Sequence, residues 1–569
     1  MRGLGKRSNI GADVRALTKP IQRAMVALFS VLLVFPPQLY AQVGNGITID
    51  SRAMSLGNAV VADRDPSIAA VYHNPAGLVN LEERQFEVDQ YIIGLDLDAA
   101  YIAGDDYEIF GLDGTGFNTY DPTVPRDPVV GGDGYGESHT SKPAIYIPGF
   151  GLQQWVWSGP APLPFQFGFS VNEPGSKFTF AFKNYMHSPL GLFKDAEDPG
   201  KFLGKEAAIQ RYTFFSPAVG YEISDEWAVG LGVQLSHQGF YIAQDNRAPN
   251  FLIAVTEILQ DAFACEFDKP IGKRRDPLQP FLSLCQGNIG PWDSVGRIDI
   301  DMQQSLSPTY NVGVLWEPND WFSWGASYMT GAEMELRGTF LMDYTDEWTA
   351  FWQGFNGSII GAITAAILGL PRGRPYEAGN IYMDYEIPQQ FKSGISMRVH
   401  PEWTVNLDAT WTDWSVWDEW TFHFDRDLEL LTTARLLSGL VTGTSLTLPL
   451  GLEDTWHYGI GITQHVNSRL NLRYGLELRK TPVGDDVFGP VPVGDMKHWG
   501  LGFDYKWDKQ TRVGASVFYM QSVDYIKNNT SCNLNCTNFT NVVYNPYAGL
   551  DVKFSSRIYG IGLQFRRQF

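Results

Sequence analysis

The chain predicts an all-β fold: a transmembrane antiparallel β-barrel of about 14 strands, with an N-terminal segment plugging the lumen and short helices in the outer loops. Three observations carry this expectation. Apolar residues recur at every second position over nine or ten residues, short turns alternate with long loops, and the chain opens on an export leader. Composition agrees: of 569 residues only 19% are charged, while 35 Phe, 26 Tyr and 17 Trp supply a large aromatic surface. The net charge of −20 argues against nucleic acid, whose phosphates would be repelled. Four cysteines are too few for a disulfide scaffold in a chain of this size.

The leader comes first. Arg2, Lys6, Arg7, Arg15, Lys19 and Arg23 stand against the single acid Asp13, and an apolar run from Ala24 to Phe35 follows. Leu39-Tyr40-Ala41 then offers a cleavage site, so residues 1–41 read as a secretory signal peptide. About a dozen apolar residues are too few for a helix to span roughly 30 Å of hydrocarbon.

Alternation dominates from residue 85 to the end. Trp227, Val229, Leu231, Val233 and Leu235 alternate with small or polar residues, as do Phe165, Phe167, Phe169 and Val171, and Leu470 to Leu478. Fourteen such runs are expected, near 86–102, 141–156, 165–172, 211–223, 227–243, 297–316, 321–340, 381–399, 403–424, 455–465, 470–479, 498–507, 511–520 and 556–569. Tight turns such as Ser224-Asp225-Glu226 and Pro318-Asn319-Asp320 join some of them, and seven long segments join the rest. An even count puts both termini on the short-turn, periplasmic side of a bacterial outer membrane. Trp227, Trp321, Trp403, Trp456, Trp499 and Trp507 mark strand ends as an aromatic girdle would. Tyr559, Ile561, Leu563 and Phe565 alternate toward a terminal Phe569, with Arg567 interrupting.

Residues 42–84 are too irregular for a spanning strand and precede the barrel, so they are expected to fold back into the lumen. Their run "RAMSLGNAVVADRDPSIAAVYHNPAGL" resembles the hatch of the FadL/TodX family of outer-membrane transporters for long-chain fatty acids and aromatic hydrocarbons, with Asn74, Pro75 and Ala76 on that family's NPA motif. "GYEISDEWAVGLGVQ", "YNVGVLWEPNDWFSWGASY" and "HPEWTVNLDATWTDWSVW" are similar to family hairpins.

The resemblance implies passive transport of hydrophobic molecules: capture by outer loops, a luminal pocket, hatch control and lateral release at a kink in the third strand. Gly175 falls near the kink position, and Pro174 beside it lacks the N–H a ladder needs. In the third loop Phe251, Val255, Ile258, Leu259 and Phe263 fall at helical spacing; in the fourth, Ile359, Ile360, Ile363 and Ile367 do the same. Together these are expected to form an apolar capture groove. Lys392, Arg398 and Arg473 have lumen-facing parity and are candidates for a polar head group, while Trp417, Trp420 and Phe422 suit a neutral hydrocarbon. Cys265 with Cys285, and Cys532 with Cys536, are candidates for local disulfides after export; metal binding is the rival for the second pair, but no histidine lies nearby and no metal is expected. No cofactor is expected either. Intact G-x-S-x-G and H-E-x-x-H motifs are absent, so an enzyme is not expected. The expected partners are hydrophobic small molecules, outer-membrane lipid and lipopolysaccharide, around a monomer. A neutral alkane or arene channel, a general porin and a loop-built adhesin are the alternatives.

Overall fold

A computed structural model describes residues 46–103, 127–130, 135–154, 158–188, 191–247, 249, 251–435, 438–483, 494–531, 534–536 and 544–569. The leader and Cys532 lie outside this set. A single antiparallel sheet closes on itself: β1 (Arg84–Ala103) pairs with β14 (Leu550–Gln568) from Gln85↔Gln568 to Ala103↔Leu550. Closure leaves no open edge for aggregation.

Pairing defines fourteen wall strands. Between β1 and β14 lie β2 (135–154 with 158–172), β3 (178–188 with 191–193), β4 (206–222), β5 (Trp227–Arg247), β6 (Ser294–Asn319) and β7 (322–344). They continue with β8 (376–400), β9 (403–424), β10 (445–465), β11 (Leu470–Arg479), β12 (Met496–Lys506) and β13 (Thr511–Ile526). The expected number is right for compensating reasons. The runs at 141–156 and 165–172 belong to one strand, β2, whereas β3 occupies a stretch expected to be loop. Broken alternation hid it, because β3 comes in three short pieces, Phe178–Lys183, Tyr185–Ser188 and Gly191–Phe193.

The barrel has two levels of opposite polarity. Below, Phe167, Phe169, Leu231, Val312, Leu501 and Leu563 face outward and are exposed, while Gln166, Ser170, Gln234, Asn311 and Ser516 are buried inside. An outward apolar band of this extent is what lipid requires and water forbids. Above, the rows exchange. In β7 and β8 Leu336, Phe340, Met342, Ile381 and Met383 turn inward and are buried, whereas Glu333, Arg337, Asp343 and Asp384 are exposed. The change falls at one level, where β7, β8 and β9 are interrupted at 330–331, 388–389 and 413–418.

Tryptophans frame the lower level on its outer side. Trp227, Trp321 and Trp507 are exposed at the short-turn end; Trp456 and Trp499 are exposed higher up, with Trp411 directly opposite Trp456. Among the described residues the loops carry four helices, α3 (Phe251–Ala262), α4 (Asp346–Asn356), α5 (Ile359–Leu368) and α6 (Glu429–Ala434). Thr345 and Ser358 cap α4 and α5 by accepting backbone N–H bonds, and Gly369 ends α5 in the left-handed conformation at φ +64°. Helices α4 and α5 meet at a 102° bend.

Candidate functional site

Residues 46–83 lie within the ring of strands, touching the inner rows of β3 to β14. Two short helices, α1 (Ser51–Ser55) and α2 (Ala70–His73), and a 3₁₀ turn (Pro75–Asn80) order this plug. A chain this irregular must find partners for its backbone elsewhere, and wall side chains supply them. Asn311 donates to the Val71 and Tyr72 carbonyls at 3.1 and 2.9 Å, Ser327 to His73 at 2.7 Å, and Asn406 to Ala59 at 2.9 Å. One Asp408 oxygen accepts the N–H groups of Val60 and Val61 at 2.7 and 2.8 Å.

The Asn74-Pro75-Ala76 motif is the tightest of these seats. Asn74 caps the 3₁₀ turn by accepting from the Ala76 N–H at 3.1 Å, and its amide donates to the carbonyls of Val61 and Val314 at 2.9 and 3.1 Å. The approach is so close that a Cβ on Gly313 would stand 2.0 Å from the Asn74 Oδ1, and one on Gly230 2.2 Å from the Pro75 carbonyl carbon. The wall glycines are therefore part of the motif, a link the tripeptide alone does not reveal.

Charges sit beside the plug and are almost fully paired. Arg52 meets Asp63 at 2.7 Å, and Asp504 is shared between Arg52 and Arg473. Lys183 bridges Glu87 and Asp89, with all three side chains at 0% exposure, and Arg566 reaches Glu87 at 3.3 Å. Burial lowers His73 to about 3, with Lys392 adding to the effect, so this ring stays neutral. Its Nε2 has no hydrogen-bond partner among the described residues. Of the head-group candidates, Lys392 lies 3.6 Å from the centre of the Tyr72 ring and Arg473 is paired with Asp504. Both hold the plug. Arg398 is exposed at the short-turn end, where its N–H donates to the Trp321 carbonyl.

The wall is incomplete between β2 and β3. Strand β2 leaves the ladder after Thr140; its Lys142–Ile147 and Gly151–Gln154 segments form a side hairpin, and it rejoins β1 at Ala161–Pro162. On β3, the ladder to β2 runs from Thr179 to Lys183 and resumes at Gly191–Phe193, opposite Lys142–Ala144. Between the two the Tyr185–Ser188 piece keeps β4 as partner, with a bulge at His187. The freed carbonyls are taken by the plug: Gly46 N–H donates to His187 at 2.8 Å and Thr48 Oγ1 to Met186 at 3.1 Å, while Gln166 donates to the Thr48 carbonyl at 2.7 Å. This corrects the expected kink. Pro174 and Gly175, with Gly175 at φ +79°, form the exposed tight turn from β2 to β3 rather than a break within a strand. The missing N–H of proline ends the strand there, and the break lies about ten residues later.

Above the plug the lumen is lined by apolar side chains that pack against one another, the chamber of the upper level. Phe240, Met302, Phe340, Met383, Trp420 and Phe422 are buried in one cluster, with Trp417 packed against it. Phe240 reaches Trp420 and Phe422 with ring centres 5.6 and 5.8 Å away, although β5 and β9 are not neighbours in the wall, so these contacts cross the lumen. The Trp417 indole donates to the Glu386 carbonyl at 2.6 Å. The chamber's inward rows on β6 to β8 were missed in the sequence. Their apolar residues, Leu336, Phe340, Met342 and Tyr344, keep the even positions that Trp324 and Tyr328 hold on the outer face below, so alternation alone does not show that the strand has turned its apolar side inward.

The capture-groove residues do not form one groove. Phe251 opens α3 with its side chain outside the described set. Val255 and Ile258 pack on a loop core with Tyr101, Trp292 and Tyr547, Leu259 packs on the chamber, and Phe263 is exposed. By contrast Ile359, Ile360, Ile363 and Ile367 on α5 are all exposed. The reason is composition. Helix α3 has a single apolar stripe and buries it, whereas α5 has Thr364 as its one polar side chain and stays apolar on whichever face is left. Cys265 and Cys285 are joined within the third loop, and Cys536 is buried.

A closed barrel with an apolar band outside and a folded N-terminal plug inside defines an outer-membrane barrel of the plugged class. Within it, this chain belongs to the outer membrane protein transport protein (OMPP1/FadL/TodX) family, whose profile matches residues 40–569. It is 22% identical over 219 residues to the long-chain fatty acid transport protein of Escherichia coli O6:H1, covering 38% of this chain and 43% of that one. The Salmonella typhi protein of the same name is 22% identical over 205 residues, 36% and 43% of the two chains. The match thus spans less than half the length of these relatives. A Pseudomonas aeruginosa FadL homologue superposes with a TM-score of 0.59 at 15% identity, covering 93% of this chain and all of that one. The Ralstonia pickettii toluene transporter TbuX gives 0.51 at 14%, covering 91% and 98%.

Proposed function

We propose that this protein takes up long-chain fatty acids or other hydrophobic compounds across the bacterial outer membrane by passive diffusion, with residues 46–83 as its hatch. Both termini then face the periplasm and the seven long loops face outward, on a single barrel among outer-membrane lipid and lipopolysaccharide. The observation that carries the reading is the wall break at 185–188, which lies beside the lumen and is sealed by Gly46 and Thr48. Unpaired backbone in a membrane wall is tolerated only against protein or water. If the hatch withdraws from β3, it leaves a lateral exit toward lipid.

The energetics favour staged binding. Each CH₂ removed from water contributes about 0.8 kcal/mol, so a long alkyl chain gains on the order of 10 kcal/mol when fully buried. One perfect site would hold such a ligand too tightly. A chamber that buries part of it, followed by release sideways into lipid, avoids that trap.

The test is a reversible lock. Gly46→Cys with His187→Cys would join residues already linked by a backbone hydrogen bond. Cells carrying the oxidised lock are expected to lose most uptake of labelled oleate, hexadecane and toluene, and to regain it with reductant. Undiminished uptake in the oxidised state would remove the lateral exit. A second reading, a channel for neutral alkanes or arenes, is favoured by one observation: Lys392 and Arg473 are engaged by the plug and the chamber presents Trp, Phe and Met. Retention of hexadecane but not oleate by purified protein would select it.

A further inference from the structure

Strand β2 leaves its ladder with β1 after Thr140 and rejoins it at Ala161, and the Gly159 N–H donates to the Ser141 carbonyl at 2.9 Å, pinching the base of the excursion. Within it Lys142–Ile147 pairs with Gly151–Gln154 around the tip Pro148-Gly149-Phe150. Gly149 and Gly151 stand at φ +78° and +70°, a geometry glycine adopts at no steric cost. Consecutive strand residues point to opposite faces, and here they part to the two sides of the wall. Ile145 is buried with Ile47 of the plug and with Met186 and Leu192 of β3, so it fills the wall break. Tyr146 lies on the outer surface of β5 and β6: a Cβ on Gly239 would stand 2.4 Å from its ring, and its hydroxyl donates to Asp301 at 2.6 Å. Gly239 and Asp301 alternate with Phe240 and Met302, which turn inward to the chamber. The hairpin is therefore outside the barrel.

Its grip on the wall is concentrated at one residue. The Tyr146 N–H donates to the Gln210 side chain on β4, its ring stacks on His237 with centres 5.9 Å apart, and only 4% of the residue is exposed. Gln210 is itself buried although it alternates with Arg211, which points inward to Thr309. The hairpin covers it. Toward the tip the grip ends: Pro148, Gly149, Phe150, Gln153 and Gln154 are exposed, Phe150 at 78%. Gln153 donates back to the Phe150 and Leu152 carbonyls of its own turn at 2.8 and 3.2 Å. A two-stranded hairpin is at best marginally stable by itself, and one held at its base and at a single tyrosine belongs to the low-stability end of a structure.

We propose that this hairpin is an outer shutter for the lateral exit, with Tyr146 as its catch and Ile145 as the stopper in the gap. It rests on the lateral-exit reading and deepens it, because the exit then has two closures in series. Gly46 and Thr48 of the plug close it from inside, and the hairpin closes it from outside. Withdrawal of the plug alone leaves Ile145 in place. The hairpin swings about Ser141 and Gly159 when Tyr146 lets go, and carries Ile145 out of the gap. Unpaired strand backbone then meets hydrocarbon only while both closures are open, which keeps its cost brief.

A second lock tests this in cells carrying the full-length protein. Tyr146→Cys with Gly239→Cys ties the hairpin to β5. Once mass spectrometry shows the crosslink, uptake of labelled oleate, hexadecane and toluene is expected to be mostly lost and to return with reductant, the reduced state serving as the folding control. Undiminished uptake with the hairpin tied, while the Gly46→Cys/His187→Cys lock blocks it, overturns the shutter and leaves the lateral exit standing. If neither lock matters, both fall. Tyr146→Phe gives an independent measurement should the double variant not fold, because it keeps the ring and removes the bond to Asp301. Hydrogen exchange of residues 142–154 in the purified protein should rise roughly tenfold, the scale of one hydrogen bond to a charged acceptor, and uptake should rise with it. Unchanged exchange, or faster exchange with slower uptake, overturns the proposal.

Discussion

The lower and upper levels of this barrel use the same strands with opposite polarity. Below the interruptions at 330–331, 388–389 and 413–418, polar rows face a charged plug and apolar rows face lipid; above them, apolar rows face the chamber and charges face water. Period-two alternation gives a strand two faces, and the medium on each side decides which is inside. The two levels also differ in what a substitution costs. The lower one is held by ion pairs and hydrogen bonds with few tolerated exchanges, the upper by apolar contact that repacks.

The sharpest contrast is expected from Lys183→Met against Met342→Leu. The first strips Asp89 of its cation and leaves Glu87 with Arg566 alone, and should cost about 3–5 kcal/mol; the second conserves volume and should cost under about 1.5 kcal/mol. Denaturation of the purified protein measures both, and equal losses would break the distinction. Acid should act next, at the plug. His73 has its folded pKa lowered to about 3 by burial, against about 6.5 unfolded. The stability contributed by its neutral form is complete above about pH 6.5 and lost as pH falls toward 3. Melting curves of wild type and His73→Asn should therefore converge on acidification, with the variant losing less.

A smaller effect is expected at the motif's seat. Gly313→Ala places a methyl against Asn74, and overpacking of this kind costs about 1–3 kcal/mol. Single-channel recording should show more frequent leak events if the plug shifts, and an unchanged baseline would mean the seat is looser than its contacts imply. Smallest is Glu173→Gln at the exposed pair with Arg84, expected to cost under about 1 kcal/mol in the same denaturation assay.

Much of this was legible in the sequence. Lipid-facing rows such as Val229 to Leu235 announce themselves because one face is apolar throughout, and the plug is visible because residues 42–84 lack that alternation. Other features depend on distant contacts. Strand β3 was missed because its pieces are short and its partners at 185–188 come from residues 46–48, some 140 positions away. Lys392 and Arg473 have the right parity for the lumen, but parity does not say whether a luminal cation meets cargo or plug. The inverted rows of β7 and β8 were present as alternation; the expectation that apolar means lipid-facing assigned them to the wrong side.

The tryptophan rows imply the thickness of bilayer this protein suits. Trp403 and Trp411, like Trp507 and Trp499, are eight positions apart and share a face. At about 3.4 Å per residue and a tilt near 40°, the rows stand roughly 21 Å apart. Such a span is short beside a typical hydrocarbon core of about 30 Å. A thick membrane would have to thin around the barrel, at a fraction of a kcal/mol per Å. The short span matches the thin outer membrane of bacteria, and thicker host bilayers should disfavour the folded barrel.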